Sequence, residues 1–190
     1  MRTFIAIPLP AQIKKRLSDL QDQLRASGAE VKWVEPQNIH LTLKFLGERD
    51  EKKIEKIMAV LDDTVKGKLR FSIRISQLGA FPRIDSPRVI WVGISQGEEE
   101  TKIIAQELEE KIARLGIPKE DRPFSSHITL GRTRSAKNLE NLVRELNNAG
   151  VNWKTEGLEF TVNQITLFKS TLTSRGPTYE TLKEAALKTI

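Results

Sequence analysis

The sequence contains no cysteine and only two histidines among its 190 residues. The lack of cysteine excludes disulfides, a thiolate nucleophile and a cysteine-ligated zinc site. Long hydrophobic runs are also missing, since no apolar stretch approaches the roughly 20 residues that span a bilayer. The apolar stretch in residues 1–8 is too short for a secretory signal, so we expect it to form a first strand. These absences favour a cytoplasmic protein with no membrane partner.

The overall composition is that of an ordered globular protein, with 38% hydrophobic and 29% charged residues. A chain of 190 residues suits one compact domain or two lobes that share a core. The formal net charge of +6 has two interpretations. It favours a polyanionic partner such as nucleic acid, and it would equally serve solubility alone. We predict a single bilobal domain over residues 1–190.

One tetrapeptide pattern occurs twice, as His40-Leu41-Thr42-Leu43 and His127-Ile128-Thr129-Leu130, and it accounts for both histidines. Side chains alternate between the two faces of a strand, so each histidine and the threonine two residues later point the same way. The aliphatic residues then point into a core. Two such strands side by side would offer two imidazoles and two hydroxyls to one small ligand.

Hydrophobic periodicity along the rest of the chain predicts an α+β protein. The predicted order is β-α-β-β-α-β-β-α-β-α-β-β-α, with helices over 11–26, 50–65, 98–115, 137–149 and 178–188. Two prolines predict a loop over 79–87, and 153–162 is predicted to be a strand. Each motif lies near the middle of its half of the chain. We therefore expect two pseudo-symmetric lobes of antiparallel sheet with outer helices, around a central cleft that holds both motifs.

A pair of histidines suits proton transfer near neutral pH, because the unperturbed pKa of imidazole is roughly 6.5. One ring can activate water while the other, protonated, donates to a leaving oxygen. The two threonine hydroxyls can donate to non-bridging phosphate oxygens. Such a site suits phosphodiester cleavage and requires no metal and no cofactor.

Two other interpretations of the motifs stay open. Each His-x-Thr could be a chance occurrence around a structural histidine, which we would favour if only one copy were present. A two-histidine metal site is the second, but the sequence lacks a His-Glu-x-x-His helix, cysteine ligands and a nearby carboxylate cluster.

The chain resembles the 2H phosphoesterase superfamily, which is defined by two His-x-[Thr/Ser]-x motifs. Within it, the chain is most similar to the bacterial and archaeal RNA 2′,3′-cyclic phosphodiesterases, historically called 2′-5′ RNA ligases. Besides the motifs, the segments that carry the resemblance are Met1–Ile7, Trp33-Val34, Asn38–Gly47, Pro87–Gly93, Gly131-Arg132, Ser170-x-Leu172 and Gly176-Pro177-x-Tyr179. Ser126 departs from the proline that commonly precedes the second histidine in this family.

The resemblance implies a substrate, which is an RNA end carrying a 2′,3′-cyclic phosphate, and a product, which is a 2′-phosphomonoester. It implies that His40 is the proton donor and His127 the proton acceptor, with Thr42 and Thr129 completing the catalytic set. The same cleft could also run 2′-5′ ligation. A non-catalytic RNA-end binding protein, another 2H cyclic-nucleotide phosphodiesterase and an RNA exonuclease remain alternatives. We expect a monomer without a metal or a cofactor.

Three further residues are candidates for binding the substrate. Arg132 is expected to pair with a phosphate, and Phe45 and Phe81 to stack on a nucleobase. Phe45 lies an odd number of positions after His40, so a regular strand would turn it towards the core. Six basic residues are expected near the cleft ends as guides for the RNA backbone: Lys44, Arg83, Arg88, Arg132, Arg134 and Lys169. The three tryptophans and Tyr179 are expected to be packing residues.

Overall fold

The computed structural model describes residues 1–189, over which the chain forms nine strands and four helices. The strands are β1 (Arg2–Pro8), β2 (Val31–Trp33), β3 (His40–Glu48), β4 (Phe71–Arg83), β5 (Ser86–Gln96), β6 (His127–Thr133), β7 (Glu159–Val162), β8 (Gln164–Thr173) and β9 (Gly176–Ala186). The helices are α1 (Ala11–Arg25), α2 (Glu51–Val65), α3 (Glu98–Ala113) and α4 (Leu139–Asn152). A 3₁₀ turn, Pro36–Asn38, leads into β3. None of the helices in this part of the chain is long and apolar enough to cross a membrane.

The helices begin and end where the sequence supplies the appropriate groups. The Asp50 side chain accepts a hydrogen bond of 2.8 Å from the Lys53 amide and caps the start of α2. Three glutamates open α3, where the positive end of the helix dipole favours them. Each helix buries one apolar stripe, as Ile54, Ile57 and Leu61 do in α2.

All nine strands belong to one sheet, in the order β7-β4-β5-β6-β3-β1-β8-β9, with β2 also paired to β6. Every neighbouring pair is antiparallel. The two motif strands, β3 and β6, are neighbours at the centre, joined by the single pairing of Leu41 with Ile128. This seam divides the sheet into a first half, β3-β1-β8-β9, and a second half, β6-β5-β4-β7 with β2. The predicted α+β class with antiparallel strands is confirmed.

The helices form a second layer behind the sheet. Helices α2 and α3 contact each other and strands of the first half, whereas α4 contacts β4, β5 and α1. The aliphatic residues of both motifs, such as Leu41 and Ile128, are fully buried in the core between the layers. The histidine face of the motif strands is therefore turned away from the helical layer.

The two halves of the sheet do not correspond to the two halves of the chain. The first half combines β1 and β3 with the C-terminal strands β8 and β9, and α3 lies behind it. The second half combines β2 and β4 with β6 and β7, and the N-terminal helix α1 contacts α4 behind it. Each half of the chain thus contributes one helix and at least two strands to the side of the molecule that holds the motif of the other half.

The prediction is wrong for the last element, because residues 178–188 were expected to be helical. The segment is strand β9, which pairs with β8 from Thr173 opposite Gly176 to Gln164 opposite Ala186. Its glutamate, leucine, lysine and alanine residues favour a helix in isolation. Pairing along the whole length of β8 outweighs that local preference.

Two other boundaries also differ from the prediction. Residues 79–87 form no long loop, because β4 runs to Arg83 and β5 begins at Ser86. Pro82 pairs with Pro87 next to a register shift near the end of the β4–β5 pair. A proline has no amide hydrogen to donate, and a bulge or the end of a strand tolerates this loss. Residues 153–158 lie outside any strand, since α4 continues to Asn152 and β7 begins only at Glu159.

Candidate active site

The seam between β3 and β6 brings the two motifs together on one face of the sheet. Because Leu41 pairs with Ile128, the antiparallel register sets His40 opposite Thr129 and Thr42 opposite His127. Side chains directly opposite each other have Cβ atoms about 4.5–5.5 Å apart, and diagonal neighbours are about 7–8 Å apart. The four side chains therefore form one cluster, with the two histidines on its diagonal, as the motif pattern predicts.

Both imidazoles are oriented by the same backbone contact. The Nδ1 atom of His40 lies 2.6 Å from the carbonyl oxygen of Asn38, and that of His127 lies 2.8 Å from the carbonyl oxygen of Ser125. A carbonyl oxygen only accepts hydrogen bonds, so Nδ1 must carry the hydrogen in each ring. The Nε2 atom of each ring is therefore the one that gains or gives a proton.

Thr42 provides a further contact to one histidine. Its Oγ1 lies 2.9 Å from Nε2 of His40. When the ring is neutral, the hydroxyl donates to Nε2. When the ring is protonated, Nε2 donates to the hydroxyl oxygen, which frees the hydroxyl hydrogen for another acceptor.

The environment favours the neutral form of both histidines in the free protein. Burial lowers the pKa of His40 and of His127, and the backbone hydrogen bonds at Nδ1 oppose this effect only in part. The positive charges of Lys14 and Arg132 lower the pKa of His40 and His127, respectively, still further. A bound anion would act in the opposite direction and favour the charged form.

Two aromatic side chains enclose His40. The ring centroid of Phe4 lies 4.8 Å from that of His40. The ring centroid of Tyr179 on β9 lies 5.5 Å from that of His40, and these two rings form a T-shaped pair. The Asn38 side chain donates a 2.7 Å hydrogen bond to the carbonyl oxygen of Pro177 and so holds the β8–β9 hairpin beside the histidine. Residues 178–188 were predicted to be helical, and a helix gives Tyr179 no reason to lie beside His40, so the contact follows only from β9 being a strand.

Two other aromatic side chains adjoin His127. The ring centroid of Phe81 lies 5.2 Å from that of His127, with the two rings nearly perpendicular, and the ring centroid of Trp91 lies 6.5 Å from that of His127. Trp91 is half-buried and pairs with Thr129 on the histidine face, so its assignment to the core is wrong. Its ring lies against Gly79, where any Cβ atom would collide with the indole. Phe81 itself is exposed and belongs to β4, not to a loop.

A bulge in β3 places Phe45 on the histidine face. Ile5 pairs with Lys44 and Ala6 pairs with Thr42, so one residue of β3, Leu43, is extra. Such an extra residue reverses the alternation beyond it. Phe45 is accordingly 58% exposed, and its ring lies 6.4 Å from Phe4.

A matching bulge occurs in β6. Ile90 pairs with Gly131 and Trp91 pairs with Thr129, which leaves Leu130 as the extra residue. Arg132 is exposed as a result. Phe45 and Arg132 each follow their histidine by five positions, so the scaffold offers an aromatic ring at one position and a guanidinium at its pseudo-symmetric equivalent.

The bulge in β3 turns one of the basic residues that were predicted to guide RNA away from the histidine face. Lys44 is only 2% exposed, and its Nζ lies 2.7 Å from Oε1 of Glu109 on α3. The expectation that Lys44 contacts a ligand is therefore wrong, because the bulge turns it towards the helical layer. Lys169 forms an ion pair of 3.1 Å with Glu180. The other predicted guides are exposed: Arg83, Arg88, Arg132 and Arg134.

Between residues 1 and 189 no group of three or more histidine, aspartate or glutamate side chains is arranged to hold a metal ion. The groups that the cluster presents are two Nε2 atoms, two hydroxyls and the surrounding aromatic and cationic side chains.

Comparison with known proteins relates this site to one family. The profile of the family described as LigT like phosphoesterase matches the chain twice, over residues 7–91 and 92–179, so that each match contains one histidine motif. An RNA 2′,3′-cyclic phosphodiesterase of Methanocaldococcus jannaschii is 36% identical over 187 residues, covering 97% of this chain and 99% of the relative. One of Aeropyrum pernix is 39% identical over 169 residues, covering 89% and 93%. The crystal structure of the protein TT0787 of Thermus thermophilus is similar, with a TM-score of 0.80, 29% identity and 98% coverage of both chains.

Proposed function

Because this chain belongs to the LigT-like phosphoesterase family, we propose that it hydrolyses RNA 2′,3′-cyclic phosphate ends to 2′-phosphomonoesters by acid–base catalysis between its two histidines. Relatives named RNA 2′,3′-cyclic phosphodiesterase support the substrate class. The observation that supports the mechanism is the pairing of Leu41 with Ile128 together with the shared Nδ1 contacts, which leave Nε2 of both histidines available on one face of the sheet.

The phosphate occupies the space between the two rings. Nε2 of His127 accepts a proton from water as the water oxygen bonds to phosphorus. The bond from phosphorus to the 3′ oxygen breaks, and protonated His40 gives its Nε2 hydrogen to that oxygen. The diagonal separation of about 7–8 Å leaves room for an attacking and a departing oxygen on opposite sides of phosphorus. If the 5′ hydroxyl of another RNA replaces water, the same proton transfers produce a 2′-5′ linkage.

The hydroxyls stabilise the charge that develops on the non-bridging oxygens. When the Nε2 hydrogen of protonated His40 turns to the leaving oxygen, the hydroxyl of Thr42 is released from Nε2 and donates to a non-bridging oxygen of the phosphate. The hydroxyl of Thr129 donates to a non-bridging oxygen from the opposite strand, β6. Arg132 pairs with a phosphate of the RNA, either the reacting one or a neighbouring one, and Phe45 and Phe81 stack on nucleobases. All of these groups come from one chain, so the site is complete in a monomer.

The test uses an oligoribonucleotide that ends in a 2′,3′-cyclic phosphate, incubated in excess chelator. We expect a 2′-phosphate product from the wild-type protein. His40→Ala and His127→Ala each lower kcat by about 10²–10⁴-fold, whereas the control Lys56→Ala, an exposed substitution on α2, leaves it unchanged. A 3′-phosphate product would overturn the assigned leaving oxygen. Binding without turnover would favour an RNA-end binding protein.

The assignment of donor and acceptor has its own test. A substrate whose 3′ oxygen is replaced by sulfur needs no proton on the leaving atom, since thiolate is a much better leaving group. This substrate restores the activity of His40→Ala and leaves His127→Ala inactive. Rescue of His127→Ala alone would reverse the two roles.

A further inference from the structure

Two positive side chains face each other across the pairing of β2 with β6. Lys32 lies directly opposite Arg132, and both are exposed. Like charges at directly opposite positions of an antiparallel pair are destabilising. The sheet therefore keeps an unfavourable contact at this point.

Two other cations of the sheet are each matched with an acid on the neighbouring strand. Arg74 pairs with Glu159 and lies within 2.5 Å of its carboxylate, and Lys169 pairs with Glu180 at 3.1 Å. In contrast, none of the ion pairs found in residues 1–189 includes Lys32 or Arg132. The acid next to β2, Glu30, is instead 2.6 Å from the hydroxyl of Ser135 and 3.6 Å from Lys137.

The Lys32–Arg132 pair lies on the histidine face of the sheet. Its neighbours along β2, Val31 and Trp33, pack against the core. A Cβ atom on Gly131, next to Arg132, would run into both of those side chains, so that side is the back of the sheet. Alternation along β2 then turns Lys32 to the front, beside Arg132.

We propose that Lys32 and Arg132 together form a second phosphate subsite, which binds the phosphodiester joining the terminal nucleotide of the RNA to the one before it. This inference rests on the proposed function. Arg132 lies three residues beyond Thr129 along β6, which sets it further along the strand than the threonine that faces the reacting phosphate. A bridging anion would remove the repulsion within the pair. The subsite makes the enzyme prefer oligonucleotides over cyclic mononucleotides.

The test compares two substrates that differ by a single phosphodiester. One is a 2′,3′-cyclic mononucleotide, and the other is a dinucleotide with the same cyclic end. We expect Lys32→Ala to lower kcat/KM for the dinucleotide by about threefold to tenfold. A plot of the logarithm of the dinucleotide binding constant against the logarithm of the salt concentration becomes shallower by about 0.7. The mononucleotide kcat/KM stays within about twofold of wild type. Lys56→Ala, the matched loss of one exposed lysine, changes neither value.

Lys32→Glu separates binding from folding. It replaces a like-charge pair with an opposite-charge pair, so its melting temperature is at or above that of the wild type while dinucleotide turnover falls further. The proposal is overturned if Lys32→Ala impairs both substrates equally, or if its salt slope equals that of Lys56→Ala. If the wild type hydrolyses neither substrate, the proposed function fails. Fluorescence anisotropy with a labelled dinucleotide ending in a 2′-phosphate then decides the subsite separately, by the same salt slopes.

Discussion

His40 and His127 share a tautomer, and their surroundings shift the pKa of both in the same direction. Burial lowers each pKa below the ordinary value for histidine. Catalysis by a donor and an acceptor requires one charged and one neutral ring, and at pH 7.5 both rings of the free protein are neutral. The charged form becomes more abundant as the pH falls. We therefore expect kcat/KM for a cyclic mononucleotide to be highest at a pH below about 6.5.

The measurement is a pH–rate profile at constant ionic strength, taken from kcat/KM because that quantity reports the free enzyme. A maximum above pH 7.5 would contradict the direction assigned to the two pKa values.

Tyr179 contributes to the burial of His40, although it donates no hydrogen bond to the ring. Tyr179→Ala opens His40 to water, so the pKa of His40 rises towards its usual value, while that of His127 in the other half of the sheet stays in place. Tyr179→Phe keeps the ring and leaves both values unchanged. Because the sequence has only two histidines, NMR titration of the imidazole signals measures the effect directly. An equal shift in both variants would show that the hydroxyl, not burial, controls His40.

At the scale of secondary-structure elements, the buried ion pair of Lys44 with Glu109 links β3 to α3. Lys44→Ala leaves a carboxylate that is only 19% exposed without its partner. We expect a loss of about 3–5 kcal/mol in the free energy of unfolding, measured in urea. Lys44→Met combined with Glu109→Gln removes both charges and costs far less. Lys169→Ala, which breaks an exposed pair, costs at most about 1 kcal/mol. Similar losses for Lys44→Ala and Lys169→Ala would mean that burial does not strengthen the β3–α3 link.

The elements also show how far sequence patterns predict this site. The cluster of two histidines and two threonines could be predicted because a period of two holds between each histidine and its threonine. The pattern fails three residues later, where one extra residue in each strand inverts the alternation. Nothing in the residue types of Leu43 or Leu130 indicates a bulge. Regular alternation therefore placed Lys44 in the cleft and turned Phe45 towards the core, although Phe45 was also predicted to stack on a nucleobase. Strand β9 was missed for a different reason. Its residue types favour a helix, and it is a strand because it pairs with β8 along its whole length.

At the scale of the whole molecule, we propose that residues 1–190 fold as one unit, because strands and helices are exchanged between the halves. The three tryptophans provide a test. Trp33 is on β2, Trp91 is on β5 and Trp153 follows α4, so all three report on the second half of the sheet. Far-ultraviolet circular dichroism reports on both halves. We expect the two signals to change together in urea, and a second transition seen only by circular dichroism would show that the first half unfolds separately.

The exchange of elements across the seam also has a consequence for how such a molecule can originate. The family profile matches each half of the chain separately, yet neither half contains a complete sheet or more than one histidine. A protein of half this length would obtain a pair of histidines only by joining a second copy across a two-fold axis, with each copy lending the other a helix and at least two strands. Gene duplication and fusion would turn that obligate dimer into a single polypeptide. Only then could the two copies diverge, so that equivalent positions hold phenylalanine in one half and arginine in the other.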